Sequence, residues 1–172
     1  RIPVTTVALE RIQGLPGLDW LILDHRNDSL AILDNGGALL QDTLLIQATV
    51  RFDTPHAHQP DTERLCRWAG EPGSRPYRLN NLEHRSHLPQ RLGSQRQATE
   101  LLAAEALLLP EPSRLDALGD NRQTRLAFLL HTVYGIQDLA YALLNDVDHS
   151  EAERYPDAND PSPPETDTSG PG

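Results

Sequence analysis

The chain has 172 residues, of which 38% are hydrophobic, so it can bury one core but not two independent ones. All 15 basic residues are Arg, and the formal net charge of −10 excludes the strongly basic class of nucleic-acid-binding domains. No apolar run reaches the roughly 18 residues of a membrane span, and the N-terminus lacks a signal-peptide pattern, so we expect a soluble, cytoplasmic protein without membrane contact.

The first part of the sequence predicts a strand–helix–strand unit. Residues 18–24 are apolar on both faces, as in a buried parallel strand, and residues 43–52 are β-branched and apolar. Between them, Asp28 or Ser29 caps a short helix that is broken at residues 35–37, Asn-Gly-Gly. A strand, a helix and a strand within about 35 residues form a βαβ unit with a right-handed crossover.

The middle of the sequence predicts a helix followed by antiparallel strands. Residues 62–70 form a helix of about two turns, with Leu65 and Trp68 on its inner face. Residues 75–88 alternate polar and apolar side chains around Asn80-Asn81, which predicts either a β-hairpin or a closing pair of strands.

The last part of the sequence predicts a helical hairpin and a tail. Apolar residues recur at three and four positions in residues 94–109 and 121–146, and the second of these helices is the longest element. From residue 156 the chain has no large apolar side chain, and this Pro-rich, acidic composition predicts disorder. The predicted organisation is an α/β domain over residues 1–92, a helical extension over 93–149 and a disordered tail over 150–172.

Side chains at strand ends are the candidates for ligand contact. Asp24 follows the first buried strand, where ligands bind in open α/β sheets, and the alternative is that it caps the next helix. Arg85 and His87 share one face of a strand and suit an anion or sugar phosphate, and the alternative is a solvated or partner-facing strand. His56, His58 and His87 would give three zinc ligands, but no acid or Cys lies at a supporting spacing, so we predict no metal site.

The order of these patterns is similar to the C-terminal half of FkbM-type S-adenosylmethionine-dependent methyltransferases. The similarity covers roughly residues 3–90 and depends on three segments in order, "TTVALERIQGLPGLDWLILDHRNDSLAIL", "LLIQATVRF" and "YRLNNLEHRSHLP". The helical extension, up to about residue 147, resembles one that some bacterial members have.

The resemblance implies an α/β fold made of the later strands of a Rossmann-like methyltransferase sheet, with an antiparallel closing hairpin and a C-terminal helical hairpin. It implies S-adenosylmethionine as the methyl donor and an oxygen of a sugar or related small metabolite as the methyl acceptor. Asp24 would be the catalytic residue, and Arg85 and His87 would face the acceptor.

This sequence departs from the family pattern in two places. The Gly-rich turn that holds the methyl donor belongs to the N-terminal half of the family's sheet, and no Gly-x-Gly turn follows a strand here, so no cofactor-binding residue is assigned. After Asp24, residues 26–29 replace the family's glutamates and glycine, and residues 47–49, Gln-Ala-Thr, lack the acid of the following strand.

Two hypotheses follow from the resemblance and its departures. The chain is either the C-terminal region of a methyltransferase, inactive alone, or a degenerate, non-catalytic module for assembly or partner binding. In both cases a half sheet has a free edge, which an N-terminal half, a second copy of the chain or the helical extension must cover.

Overall fold

The computed structural model describes residues 7–12, 14–15, 17–53, 58–89, 91 and 98–159. Within these residues the chain forms four β-strands, seven α-helices and a short 3-10 helix, Leu9–Arg11. The chain divides into two compact units, residues 1–117 and 118–172. The first unit contains the sheet, and in the second the structure describes only helices.

The described part of the chain forms a sheet of four strands in the order β1-β2-β4-β3. The strands are β1 (Trp20–Leu23), β2 (Leu45–Arg51), β3 (Ser74–Arg85) and β4 (Glu100–Pro110). β1 and β2 are parallel, as the strand–helix–strand prediction requires, whereas β4 is antiparallel to both of its neighbours, β2 and β3. The fold is therefore mixed α/β with a mixed sheet.

In the part of the chain that the structure describes, the first unit has four α-helices, of which the first three follow the sequence prediction and the fourth was not predicted. They are α1 (Ser29–Asp34), α2 (Gly37–Gln41), α3 (Thr62–Gly70) and α4 (Pro112–Asp116). Asp28 caps α1 through the Ala31 N–H, and Asp61 caps α3 through the Arg64 N–H, each satisfying a backbone donor of the first turn. Both predicted inner residues of α3 pack inward, because Leu65 is buried and Trp68 packs against the core.

One face of the sheet packs with these helices to form the core. Ile46, Ala48 and Val50 of β2 are buried in it, whereas the alternate residues of β2, Gln47, Thr49 and Arg51, are only half-buried on the opposite face. The other members of the core are Leu23, Leu33, Leu40, Leu65, Ala69, Ala104, Ala106 and Leu108. The sheet thus has one apolar and one partly polar face.

The prediction of a helix over residues 94–109 is wrong from residue 100 onward, because residues 100–110 form β4, and residues 94–97 lie outside the described residues. Leu and Ala favour helices in isolation, but this segment lies between two strands and pairs with both of them. Most of its side chains are buried, so its apolar residues fill both faces of a strand rather than one helical stripe. The sheet therefore continues past residue 92, where the predicted α/β domain ended.

β3 is one long strand and not a hairpin that turns at Asn80-Asn81. Asn81 has a φ of 48°, in the left-handed region that Asn tolerates, and the register with β4 shifts between Asn80 and Glu83. β3 does pair antiparallel with another strand, but that strand is β4, which lies outside residues 75–88 in a segment whose sequence pattern predicts a helix.

The second unit contains α5 (Asp120–Tyr134), α6 (Gln137–Val147) and α7 (His149–Asn159). The prediction of one continuous helix over 121–146 is wrong, because α5 ends at Gly135, which has a φ of 61°. The N–H of Gly135 donates to the His131 carbonyl and that of Ile136 to the Leu130 carbonyl, which ends the helix.

The predicted tail of residues 150–172 begins too early, because α7 extends to Asn159. The rest of the tail lies outside the described residues. No helix in the described part of the chain is both long and apolar enough to cross a membrane.

Candidate functional site

Asp24 lies directly after β1 and organises the turn that follows. Its Oδ1 accepts hydrogen bonds from the Arg26 N–H at 2.8 Å and from the Asn27 side-chain amide at 2.7 Å. Its backbone carbonyl also accepts from the Asn27 N–H at 3.1 Å. Oδ2 of Asp24 accepts no hydrogen bond within the described residues, so the carboxylate keeps one open acceptor. The alternative role, the cap of the next helix, belongs to Asp28 instead.

Asp28 connects the start of α1 to the loop before α3. Its Oδ1 accepts from the Ala31 N–H at 3.1 Å, and its Oδ2 lies 2.8 Å from Nδ1 of His58. The pKa of Asp28 is lowered, chiefly by the Ala31 N–H and then by the hydrogen bond with His58. The His58 carbonyl accepts from the Leu30 N–H at 3.3 Å, so the loop and the helix are linked twice.

Arg85 and His87 come together on one carboxylate, that of Glu100 at the start of β4. Arg85 donates two hydrogen bonds to Glu100, each 2.8 Å long, and Nε2 of His87 lies 3.0 Å from Glu100 Oε2. The pKa of Glu100 is lowered, chiefly by the Arg85 hydrogen bonds, and that of Arg85 is raised by the same contact. Arg85 and His87 therefore meet at one carboxylate, and each has a partner within the protein.

A second ion pair lies at the carboxyl end of β2. Arg51 donates to Asp53 through Nε at 3.0 Å and Nη2 at 2.7 Å. The pKa of Arg51 is raised, chiefly by the Asp53 hydrogen bonds, with the charges of Asp53 and Glu83 adding and burial opposing. Charged residues of three strands therefore gather at this end of the sheet.

Sequence reasoning missed a polar group on the half-buried face of the sheet, which we name the Glu105 cluster. It consists of Gln47, Thr49, Asn81 and Glu105. Glu105 Oε2 accepts from the Gln47 amide at 2.8 Å and from the Asn81 amide at 2.7 Å. Thr49 is the direct partner of Glu105 in the pairing of β2 with β4. The cluster was missed because Glu105 was assigned to a helix, where it could not oppose β2.

An apolar groove of about 720 Å³ runs between β1, α1 and the segment before the 3-10 helix. Leu21, Leu23 and Ile32 contribute apolar surface to it, and Asp28 and Asn35 contribute polar groups. Ile22 also lines it and is 45% exposed, which is unusual for a large apolar residue of a strand. The groove lies beside the outer edge of β1.

No group of three His, Cys, Asp or Glu side chains in the described part of the chain is placed to hold a metal ion. Of the three histidines considered for zinc, His58 pairs with Asp28 and His87 with Glu100, and His56 lies outside the described residues.

Comparison of the chain with protein-family models, curated proteins and solved structures gives no match.

Proposed function

We propose that this chain is the C-terminal region of an S-adenosylmethionine-dependent methyltransferase that transfers a methyl group to an oxygen of a sugar or related small metabolite. The sequence resemblance implies a half sheet with an antiparallel closing pair, and the β1-β2-β4-β3 order with antiparallel β4 is compatible with that arrangement. The methyl-donor site, which the resemblance places upstream of the matched residues, is not assigned to this chain. The chain alone is therefore expected to be inactive.

The observation that supports this proposal most is the difference between the two edges of the sheet. β3, at one edge, has Pro76, register shifts and the charged residues Arg75 and Arg78, all of which hinder pairing with another strand. β1, the other outermost strand among the described residues, has the sequence Trp-Leu-Ile-Leu, with no Pro, charge or bulge, and it borders the apolar groove. An edge of this kind is suited to a further strand, which the N-terminal half of a methyltransferase sheet would supply.

Asp24 has the best-placed side chain for the acceptor. It follows the carboxyl end of β1, where ligands bind in open α/β sheets, and its Oδ2 remains available to a hydroxyl group. Arg85 and His87 both already bind the carboxylate of Glu100. They would therefore contact the acceptor only with the parts of their side chains that Glu100 does not cover.

The alternative function is a non-catalytic module that keeps the fold for assembly or partner binding. One observation favours it: Asp24, Arg85 and His87 all have intramolecular partners, as structural residues do. The two functions differ in whether a longer polypeptide binds the methyl donor.

Calorimetric titration with S-adenosylmethionine and with its demethylated product separates them. We expect no binding to this chain tighter than roughly millimolar, and binding to a polypeptide extended upstream through a Gly-rich strand–turn–helix. Tight binding to the chain alone would contradict the upstream donor site, and no binding to either polypeptide would favour the non-catalytic module.

In the extended polypeptide, Asp24→Asn tests the acceptor role. We expect methyl transfer to fall by at least about tenfold with donor binding unchanged, because a neutral amide orients a hydroxyl less well than a carboxylate does. Asp116→Asn, at an exposed position of α4, is the control. Equal activity of the two variants would exclude Asp24 from the site.

A further inference from the structure

The Glu105 cluster contains a carboxylate with hydrogen-bond donors but without a cation. Glu105 is half-buried, and in the described part of the chain no Arg or His forms an ion pair with it. Its two donors, the amides of Gln47 and Asn81, come from two other strands and lie 58 and 24 residues away in sequence. Glu105 therefore presents a carboxylate at a defined point on the sheet face that has no ion-pair partner among the described residues; Arg78 donates instead to Asn80, the strand partner of Glu105, at 2.7 Å.

Two oxygen atoms of this cluster accept no hydrogen bond among the described residues. Both amides donate to the same oxygen, Oε2, and Oε1 of Glu105 accepts no hydrogen bond within the described residues. The Asn81 amide uses its N–H toward Glu105, and its carbonyl oxygen likewise accepts nothing there. A ligand at this point meets a negative carboxylate oxygen and an amide oxygen, so it must be a hydrogen-bond donor.

We infer that the Glu105 cluster binds the primary ammonium group of a small amine. An ammonium group has three donors and no acceptor, and its charge compensates that of the carboxylate. A neutral hydroxyl would donate only one hydrogen bond and leave the charge unbalanced. The inference rests on the proposed function only for the identity of the amine. If the chain is part of a methyltransferase, the amine would be a group of the methyl acceptor, such as the amino group of an amino sugar.

The position of the cluster along the strands suits this role. The last residue of β1, Leu23, pairs with Ala48, while β2 continues to Arg51. Thr49 and its partner Glu105 therefore lie one residue beyond the end of β1, level with Asp24. The backbones of β1 and β4 are two strand spacings apart, about 10 Å, and ligands of open α/β sheets bind at such strand ends.

The backbone at Asn81 is arranged to bring its side chain to Glu105. Asn81 has a φ of 48° within an irregular part of β3, and its amide then reaches Glu105 at 2.7 Å. A residue other than Gly pays a conformational cost at such an angle, although Asn tolerates it better than most. A regular strand would place Asn81 away from this face, because successive side chains alternate.

The test compares glucosamine with glucose, which differ in an amino and a hydroxyl group, on the full chain at about pH 6.5, where the amine is charged. We expect glucosamine to bind about tenfold more tightly by NMR titration, with the shift changes centred on Gln47, Asn81 and Glu105. Glu105→Gln should abolish the preference for the amine.

Glu111→Gln is the matched control, because it removes the same charge from an exposed position just after β4. Non-specific attraction of an amine to this acidic chain would weaken equally in both variants, whereas binding at the cluster weakens only in Glu105→Gln. Equal binding of the two sugars, or equal effects of the two variants, would show that the cluster is only a structural contact.

The wild-type shift map keeps the inference testable if Glu105→Gln does not fold, since amine-induced changes elsewhere in the chain would overturn it. Because this assay needs no methyl donor, its failure leaves the donor titration unaffected. Conversely, failure of donor binding in the extended polypeptide would overturn the methyltransferase proposal and leave an amine site in place.

Discussion

Arg85 and Glu100 face each other at the end of the β3–β4 pair, where Nε and Nη2 of Arg85 each donate a hydrogen bond of 2.8 Å to Glu100. The pKa of Glu100 lies below its ordinary value of 4.5, chiefly because of these hydrogen bonds, with the charge of His87 adding. A carboxyl group with a lowered pKa in the folded state stabilises the fold above its unfolded-state pKa. That stability is lost as the pH falls through the lowered value.

We therefore expect Glu100→Gln to have a lower Tm than the wild type at neutral pH. This difference in Tm should disappear as the pH falls from about 4.5 through the lowered pKa of Glu100. Thermal unfolding followed by circular dichroism at a series of pH values measures this difference. Glu111→Gln, at an exposed position without an ion pair among the described residues, is the control and should show no such dependence. A constant difference across the pH range would mean that the ion pair adds no stability.

Two Gly→Ala substitutions, one at the end of α5 and one in α3, should change the free energy of unfolding in opposite directions. Gly135→Ala should destabilise the protein by about 1 kcal/mol, because its φ of 61° is costly for a residue with a side chain, even though nothing would touch the added Cβ. Gly70→Ala, in α3, also adds a Cβ in open space but needs no positive φ, so it should stabilise by about 0.4–1 kcal/mol. Urea unfolding measures both, and stabilisation by Gly135→Ala would indicate a continuous helix instead.

Secondary structure was predicted correctly where it depends on residues close together in the sequence. The apolar run before Asp24, the cap at Asp28 and the short helix over residues 62–70 each depend on contacts within a few residues, and all are present in the structure. The break at Gly135 was missed because the apolar periodicity continues on both sides of it, although a Gly inside a helical pattern is itself a stop signal.

The error that hid the candidate site concerns β4. Its Leu- and Ala-rich segment has high helix propensity, and only pairing with β2 and β3 makes it a strand. With Glu100 and Glu105 assigned to a helix, neither the contact of Arg85 and His87 with Glu100 nor that of Gln47 with Glu105 could be foreseen. The alternation of Gln47 and Thr49 with buried apolar residues in β2 was the available signal that this sheet has a polar face.

Arg114 connects α4 to two other segments of the first unit through three oxygen acceptors. It donates to the Thr43 carbonyl at 3.0 Å, to the Ser74 hydroxyl at 3.1 Å and to the Pro72 carbonyl at 3.2 Å. Lys has the same charge but lacks the planar guanidinium that spans these acceptors, so Arg114→Lys should cost about 1–3 kcal/mol in urea unfolding. Arg67→Lys, at an exposed position of α3, should change stability by less than about 0.5 kcal/mol. Similar values for the two variants would mean that these three contacts contribute little.

The position of β1 at the end of the described sheet gives a prediction of how the chain behaves at high concentration. Ile22 is 45% exposed, and among the described residues β1 pairs with β2 and with no other strand. A charge at this position hinders strand addition, so Ile22→Lys should reduce self-association in light scattering and sedimentation while leaving the Tm close to that of the wild type.

Leu79→Lys is matched in exposure, at 44%, but lies on β3, whose edge already has Pro76 and irregular pairing. Leu79→Lys should therefore change self-association little, and an equal reduction by both variants would mean that general surface charge, rather than the β1 edge, controls association.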